Sequence, residues 1–466
     1  MLQRRFMAFG LSAAMFFMPA ISGAANIEEI LQKLQERVEA LEKKNIELEK
    51  KNAELENRLQ KQVTPATTGD TSLAERVKTL EEKSGKLIDK FAGIELGGSL
   101  NMTLQGTKNN DDNKAPGTNR GDKADVSMSA GLDATIPVGE MGELFLRTLI
   151  TQGEGVTRWL PSMFASPNAD LEYDDSQIRL VEAWYQGTIN LPWGASGDES
   201  KHSLVFNIGK MDPTGFFDTN NVANSEDEQF MADIFKNNIT LEWGGDDNAY
   251  GPGLRLAYIN KQRDDLAWNL SFGFFEGNSD EDGTFQDVMD RPFVIGEGGI
   301  TKKFGELEGN YRLYGWVNRG KHTEWKDTAK DNAENIGWGI SVDQQVSTNV
   351  TLFARYGMQD EKVATFDHTF SIGGQTLGTR WNRPNDVLAA AYGFSSPSHD
   401  FKKVAETHPD YGYRVRESEH YIEAYYRIQV NDQLAITPDI QYVMNPGGDD
   451  EKDDFLIYAL RMVLTF

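Results

Sequence analysis

The sequence predicts an all-β fold: a transmembrane antiparallel β-barrel of about 16 strands, preceded by a periplasmic α-helical coiled coil. Three observations lead there. The first residues have the layout of an export signal. The stretch that follows repeats apolar residues every seven positions. From residue 93 onward the pattern alternates with a period of two and closes on an aromatic residue, Phe466.

Residues 1–24 read as a signal peptide. Arg4 and Arg5 form a short basic region, and Phe6 to Ile21 is apolar but short for a spanning helix. Ser22-Gly23-Ala24 supplies small residues for cleavage before Ala25. No later stretch approaches the ~20 apolar residues that a membrane helix needs.

Residues 25–62 read as a coiled coil. Ile27, Leu34, Leu41, Leu48 and Leu55 repeat every seven residues. Leu31, Val38, Asn45, Asn52 and Leu59 form a second series, offset by four. Asn45 and Asn52 at core positions cost stability and fix register. Such a helix self-associates, so a homo-oligomer is expected, a trimer ahead of a dimer. Residues 63–72 form a polar linker with Pro65 and Gly69. A second helical segment over 73–92 resumes the seam at Leu73, Val77, Leu80 and Leu87.

Residues 93–466 read as the barrel. Alternating segments fall near 94–106, 124–136, 142–152, 178–191, 203–212, 236–244, 252–261, 267–276 and 293–304. Further ones follow near 308–319, 335–346, 350–360, 367–380, 386–395, 419–430, 434–445 and 455–466. Tight turns such as Ser347-Thr348-Asn349 and Asn431-Asp432-Gln433 alternate with long connections such as 107–123, 153–177, 213–235, 320–334 and 396–418. Short turns on one rim and long loops on the other are the outer-membrane pattern. Bacterial single-chain barrels have even strand numbers, and this series is odd. Counting from each end, the parities clash between 236 and 304, so one segment there is not a strand.

The two faces of each strand differ. In the closing strand Leu456, Tyr458, Leu460, Met462, Leu464 and Phe466 share one face, while Ala459, Arg461 and Thr465 share the other, with Ile457 and Val463 as exceptions. Taken alone, that segment also fits the edge of a soluble sandwich. In 419–430 the apolar row opposes Glu419, Tyr421, Glu423, Tyr425, Arg427 and Gln429. Elsewhere the polar row carries Arg147, then Glu182 and Trp184, then Asn310, Arg312, Tyr314 and Trp316, and Phe353 with Arg355. A lumen of carboxylates, guanidinium groups, amides and rings suits neutral, hydroxyl-rich solutes. The same residues also fit a merely wet pore wall, and some of the rings fit interfacial girdles.

Composition closes several routes. The formal net charge is −25, which excludes nucleic-acid binding through clustered Lys and Arg. There are 0 Cys and 6 His, so no disulfide framework, thiolate metal site or cysteine nucleophile is expected. Hydrolase signatures fail, so no enzyme activity, cofactor or metal is expected. Asp280-Glu281-Asp282-Gly283 and Asp449-Asp450-Glu451 lack the spacing of a calcium loop.

Three segments resemble the carbohydrate-selective porins of the OprB type. They are Gly209-Lys210-Met211-Asp212-Pro213-Thr214-Gly215-Phe216-Phe217-Asp218, continued to Asn238; Arg383-Pro384-Asn385-Asp386-Val387-Leu388; and Glu419 to Gly448, with Glu423-Ala424-Tyr425-Tyr426-Arg427 at its centre. The resemblance spans roughly 93–466. It implies a passive outer-membrane channel of 16 strands that favours small sugars and is embedded in outer-membrane lipid, with the coil in the periplasm. In many porins a loop placed like 213–235 folds into the barrel. Asp212, Asp218 and Glu228 of this region are then expected to face Arg147, Glu182, Trp184 and Arg427 of the wall as the constriction. Turn capping is the competing role for Asp218 and Asn220. Three rivals stand beside the sugar channel: a cation-selective pore, a phosphate-type anion pore, and a structural tether whose coil contacts peptidoglycan or a periplasmic partner.

Overall fold

A computed structural model describes residues 50, 93–110, 121–168, 173–192, 201–245, 249–277 and 288–466. The chain separates into two units, Met1–Lys90 and Phe91–Phe466. The export signal, the coiled coil with Asn45 and Asn52, the linker and the second helical segment lie outside the described residues, apart from Lys50.

The second unit is a closed barrel in which every strand pairs antiparallel with its chain neighbours, and the first pairs with the last. The strands are β1 Glu95–Lys108, β2 Ala124–Val138, β3 Gly142–Gly153, β4 Tyr173–Leu191, β5 His202–Met211, β6 Gly251–Arg263, β7 Leu266–Glu276 and β8 Pro292–Phe304. They continue as β9 Leu307–His322, β10 Ala333–Ser347, β11 Val350–Gln359, β12 Phe366–Gly378, β13 Arg383–Pro397, β14 Glu419–Gln429, β15 Leu434–Met444 and β16 Phe455–Thr465. Closure sets Leu100 opposite Leu464 and Leu104 opposite Leu460. Closing the sheet removes both edges, so no backbone N–H or C=O row faces hydrocarbon.

Period-two alternation survives on the outside. Leu254, Leu256, Leu270, Phe272, Ile300, Leu313, Leu352, Ile372, Ile422, Tyr458 and Leu460 are exposed there. In β16 the alternate row of Phe455, Ile457, Ala459, Arg461 and Val463 is buried. Ile457 and Val463 are apolar and yet point inward. Ile457 does so because the lumen beside it holds packed protein.

The segment 236–244 is not a strand, which resolves the parity clash. The chain turns there instead. Asn238 accepts from Leu241 N–H through its carbonyl at 2.9 Å and from Thr240 N–H through its side chain at 3.2 Å. The run from Asp212 to Gly245 lies between β5 and β6 and folds into the barrel.

Candidate functional site

The inward loop is built from short pieces. Asp212 caps a 3₁₀ turn at Pro213–Gly215 by accepting from Thr214 N–H at 2.8 Å. Proline pre-sets the φ of that first turn position. A single helical turn follows at Asp233–Lys236. Between them Phe217, Val222, Ala223, Phe230, Met231 and Ala232 are completely buried.

Two apolar clusters hold the loop. In one, Val222, Ala223, Phe230, Ile234 and Phe235 pack on wall residues Phe353 of β11, Ala389 and Ala391 of β13, Tyr421 and Tyr425 of β14, Val443 of β15 and Ile457 of β16. In the other, Phe217 and Leu241 pack on Met211, Phe275, Phe293, Ile295, Tyr314 and Trp316. Apolar lumen residues thus find dry partners, as burial at ~25 cal/mol per Å² rewards.

Charged wall residues reach into the loop and satisfy its backbone. Arg355 donates from Nε to Asp218 Oδ1 at 3.1 Å and from Nη2 to the Asp218 carbonyl at 2.8 Å. Its Nη1 donates to the carbonyls of Ala223 and Phe235, both at 2.6 Å. Asp218 also accepts from Tyr314 Oη at 2.9 Å and from Asn238 N–H at 2.7 Å. Its own N–H donates to Glu297 Oε2 at 2.8 Å. Burial raises the Asp218 carboxyl pKa, and the Arg355 guanidinium and the two other donors oppose that rise. On the far side Glu423 accepts from the N–H groups of Met231 and Ala232 at 2.6 and 3.0 Å. Arg461 donates to the carbonyls of Glu226 and Gln229.

A second loop, between β3 and β4, also dips inward. Glu419 accepts from the N–H groups of Phe164 and Ala165, each at 3.0 Å, and Tyr421 Oη donates to the Ala165 carbonyl at 2.7 Å.

The constriction candidates therefore divide. Glu182, Trp184 and Asp212 come together: Trp184 Nε1 donates to Glu182 Oε2 at 2.8 Å, and Asp212 N–H donates to the same oxygen at 3.4 Å. Arg147 is the register partner of Glu182 and lies 3.5 Å from Asp133. Glu228 and Arg427 meet at 3.5 Å against the opposite wall. Asp218 does not face the pore. It is 0% exposed, with a left-handed φ of +53°, and acts as an anchor for the loop. Asn220 is likewise buried, donating to Ser341 Oγ and the Val342 carbonyl at 3.2 Å. The expected place of Asp218 at the constriction is taken instead by a seat on Arg355 of the wall, and Asn220 lies on Ser341 in the same way.

Near the eyelet Lys236 Nζ and Glu226 Oε2 lie 3.1 Å apart. Burial, aided by neighbouring Asp227, pushes Glu226 up to about 8, while burial pushes Lys236 down to about 7. Aromatic rings continue the lumen surface: Phe145 stacks on Trp184 at 4.9 Å, and Trp184 meets Phe216 edge-on at 5.6 Å. The acidic run at 449–451 holds no free cluster, since Asp450 pairs with Arg416 at 3.4 Å and Asp449 with Lys452 at 3.8 Å. The run Asp280 to Gly283 lies outside the described residues.

Sequence reasoning missed Arg355, Glu423 and Arg461 as loop anchors. Each sits in a wall row beside apolar or aromatic neighbours: Phe353 for Arg355, Tyr421 and Tyr425 for Glu423, Val463 for Arg461. A charge set among such residues on a lumen face signals a partner arriving from elsewhere, because a buried charge must be paired.

Known proteins share both the pattern and the architecture. The family model for the carbohydrate-selective porin, OprB family, matches residues 116–466. Porin B of Pseudomonas aeruginosa is 25% identical over 190 residues, covering 34% of this chain and 42% of that protein. Porin AaxA of Chlamydia trachomatis serovar D is 24% identical over 136 residues, covering 28% of this chain and 27% of that protein. The matched stretches thus span less than half the length of these relatives. The high-pH structure of Pseudomonas putida OprB superposes with a TM-score of 0.66 at 19% identity, covering 83% of this chain and 97% of that one. That likeness is one of fold, and the family match runs through the inward loop and all but the first strand: this chain belongs to the carbohydrate-selective porins of the OprB family.

Proposed function

We propose that the barrel is a passive outer-membrane channel through which small hydroxylated solutes, sugars above all, diffuse with weak binding. The observation that carries this reading is the mixed surface at the inward loop. There the rings Phe145, Trp184 and Phe216 adjoin Glu182, Asp212 and Arg147. Rings cover the apolar C–H faces of a sugar, and carboxylate and guanidinium groups satisfy its hydroxyls. Opposed acidic and basic groups across a narrow pore orient dipolar solutes. Arg147, Glu182, Trp184, Asp212, Glu228 and Arg427 form the constriction, and Asp218 holds the loop that carries it. The absence of hydrolase motifs supports a channel rather than an enzyme.

The N-terminal heptads support a periplasmic coil that joins barrels into a homo-oligomer, a trimer by preference, with register set at Asn45 and Asn52. Contact with peptidoglycan belongs to the same reading.

Purified protein in a planar bilayer tests the channel. Stepwise conductance that glucose or maltose reduces saturably supports it. Replacing Trp184 and Arg147 together should abolish the block, and unchanged block would sink the assigned constriction. Block by phosphate alone would favour an anion pore. A complete lack of conductance would favour a tether, as would loss of envelope integrity on deleting residues 25–92.

A further inference from the structure

On the short-turn side of the inward loop the lumen widens into a recess of about 320 Å³ against β6 to β9, roofed by Gly215, Phe216 and Thr219. By liquid volume this is room for about ten waters. Ala267 supplies part of the space, because its inward position carries almost no side chain, and Gly299 makes room for the Asn269 amide.

The charge of the recess is unlike that of the chain. Arg255 donates to Asn207 Oδ1 at 3.0 Å and to Ser271 Oγ at 3.4 Å, both neutral partners. Its Nε has no hydrogen-bond partner among the described residues. Lys261 also lines the recess and is exposed to it. Arg312 is paired with Asp343 at 3.0 Å. Glu297 is the one lining carboxylate, and one of its oxygens already accepts from Asp218 N–H. Among the described residues Lys261 makes no ion pair, and Arg255 has only the field of Glu297, which Arg312 shares, so the recess keeps an excess of positive charge in a chain whose formal net charge is −25.

The remaining lining suits a sugar ring. Phe216 offers a ring to the space and carries the Arg255 guanidinium at 5.1 Å. Asn269, Thr301 and Asn310 add amide and hydroxyl groups. A neutral sugar would use the ring and the amides and leave the excess positive charge, that of Lys261 above all, without a counter-charge. The geometry points to a second solute site, beyond the eyelet, for polyhydroxylated anions: a sugar ring that carries a carboxylate or a phosphate. The anion bridges the Arg255 guanidinium, through the N–H groups of Nη1 and Nη2 that Asn207 and Ser271 leave over, and Lys261 Nζ, and the hydroxyls reach Asn269 and Asn310. Charge-assisted hydrogen bonds to a guanidinium are stronger than neutral ones, which gives the preference its sign.

This site rests on the reading of the barrel as a sugar channel, and one titration separates the two. Single-channel block is measured with D-glucose, D-glucuronate and D-glucose 6-phosphate at fixed ionic strength. The expected half-blocking concentration of at least one anion is about tenfold below that of glucose, which corresponds to ~1.4 kcal/mol. Lys261→Gln and, separately, Arg255→Gln should each remove most of that advantage and leave block by glucose within about twofold. Lys261 makes no side-chain bond among the described residues, so its variant keeps the test valid if Arg255→Gln misfolds. Preference for glucuronate identifies a carboxylate site, and preference for the phosphate ester a phosphate site. Glucose blocking as well as both anions would overturn the site while leaving the channel standing. So would an anion advantage that survives both variants. Absence of block by all three would overturn the channel reading instead.

Discussion

Replacing Arg355 by Met should release the inward loop. The guanidinium makes four bonds of 3.1 Å or less, to Asp218 Oδ1 and to the carbonyls of Asp218, Ala223 and Phe235. Both Arg355 and Asp218 are essentially without solvent contact, at 1% and 0% exposed. Methionine fills much of the volume but donates nothing. Three carbonyls then lose a donor, each costing ~1 kcal/mol or more. Asp218 keeps Tyr314 and Asn238 but loses its counter-charge, and breaking a buried pair costs ~3–5 kcal/mol. These losses overlap, so ~5 kcal/mol is a fair total for the seated loop. The assay is single-channel conductance with limited proteolysis. Open-channel noise should rise, mean conductance should shift, and a new cleavage site should appear within the loop. Adding Asp218→Asn should recover part of the loss, since it removes the stranded charge. Unchanged noise and protease resistance in Arg355→Met would refute the anchor.

Two further perturbations act on the same seat. A Cβ at Gly357 would collide with the side chains of Asn238 and Thr240, so Gly357→Ala should displace the 238–241 turn and raise conductance noise, while Gly296→Ala, on the outer face of β8 where a Cβ meets nothing, should leave noise unchanged. Acidity should tighten the loop. Burial pushes Asp233 up to about 6 and Glu226 up to about 8, so each binds a proton in the seated loop at pH values where the unfolded chain has lost it. Stability tied to these groups is therefore full below about pH 4 and declines as pH rises through 6. Noise measured from pH 4 to 6.5 should increase, and Asp233→Asn should flatten the rise; a trend of opposite sign would refute the assignment.

The barrel was legible because its signal is local. Each strand shows its lipid face as alternation, and β16 shows it plainly in Leu456 to Phe466. The segment 236–244 misled for a physical reason. Leu241 packs into the cluster beneath it, and Trp243 lies against the same cluster, while Thr240 and Glu242 alternate with them. Apolar and polar residues alternate here although Thr240 is itself buried against the wall, beside Gly357, so the pattern imitates a strand without a solvent face. Among the constriction candidates, Glu182 and Trp184 were legible as neighbours on one face of β4. The role of Asp218 was not, because its partner Arg355 is 137 residues away and nothing local marks the pair. Phe216 and Arg255 share that difficulty: their contact exists only once the loop has turned inward.

The dry seat of the inward loop has a consequence for the path that solutes take. Packing against β11 to β16, and of Phe217 and Leu241 against β5 and β7 to β9, fills parts of the lumen with side chains, so the open space that remains beside Arg147, Glu182 and Trp184 is off-centre. The barrel is symmetrical as a membrane object and lopsided as a conduit. Lumen-facing positions therefore answer to two different constraints. Those under the loop answer to shape, and a change there alters whether the pore holds its form. Those along the wet arc answer to the passing solute, and a change there alters what gets through. A scan of the lumen should sort into these two classes by whether a position lies under the loop or beside the open space.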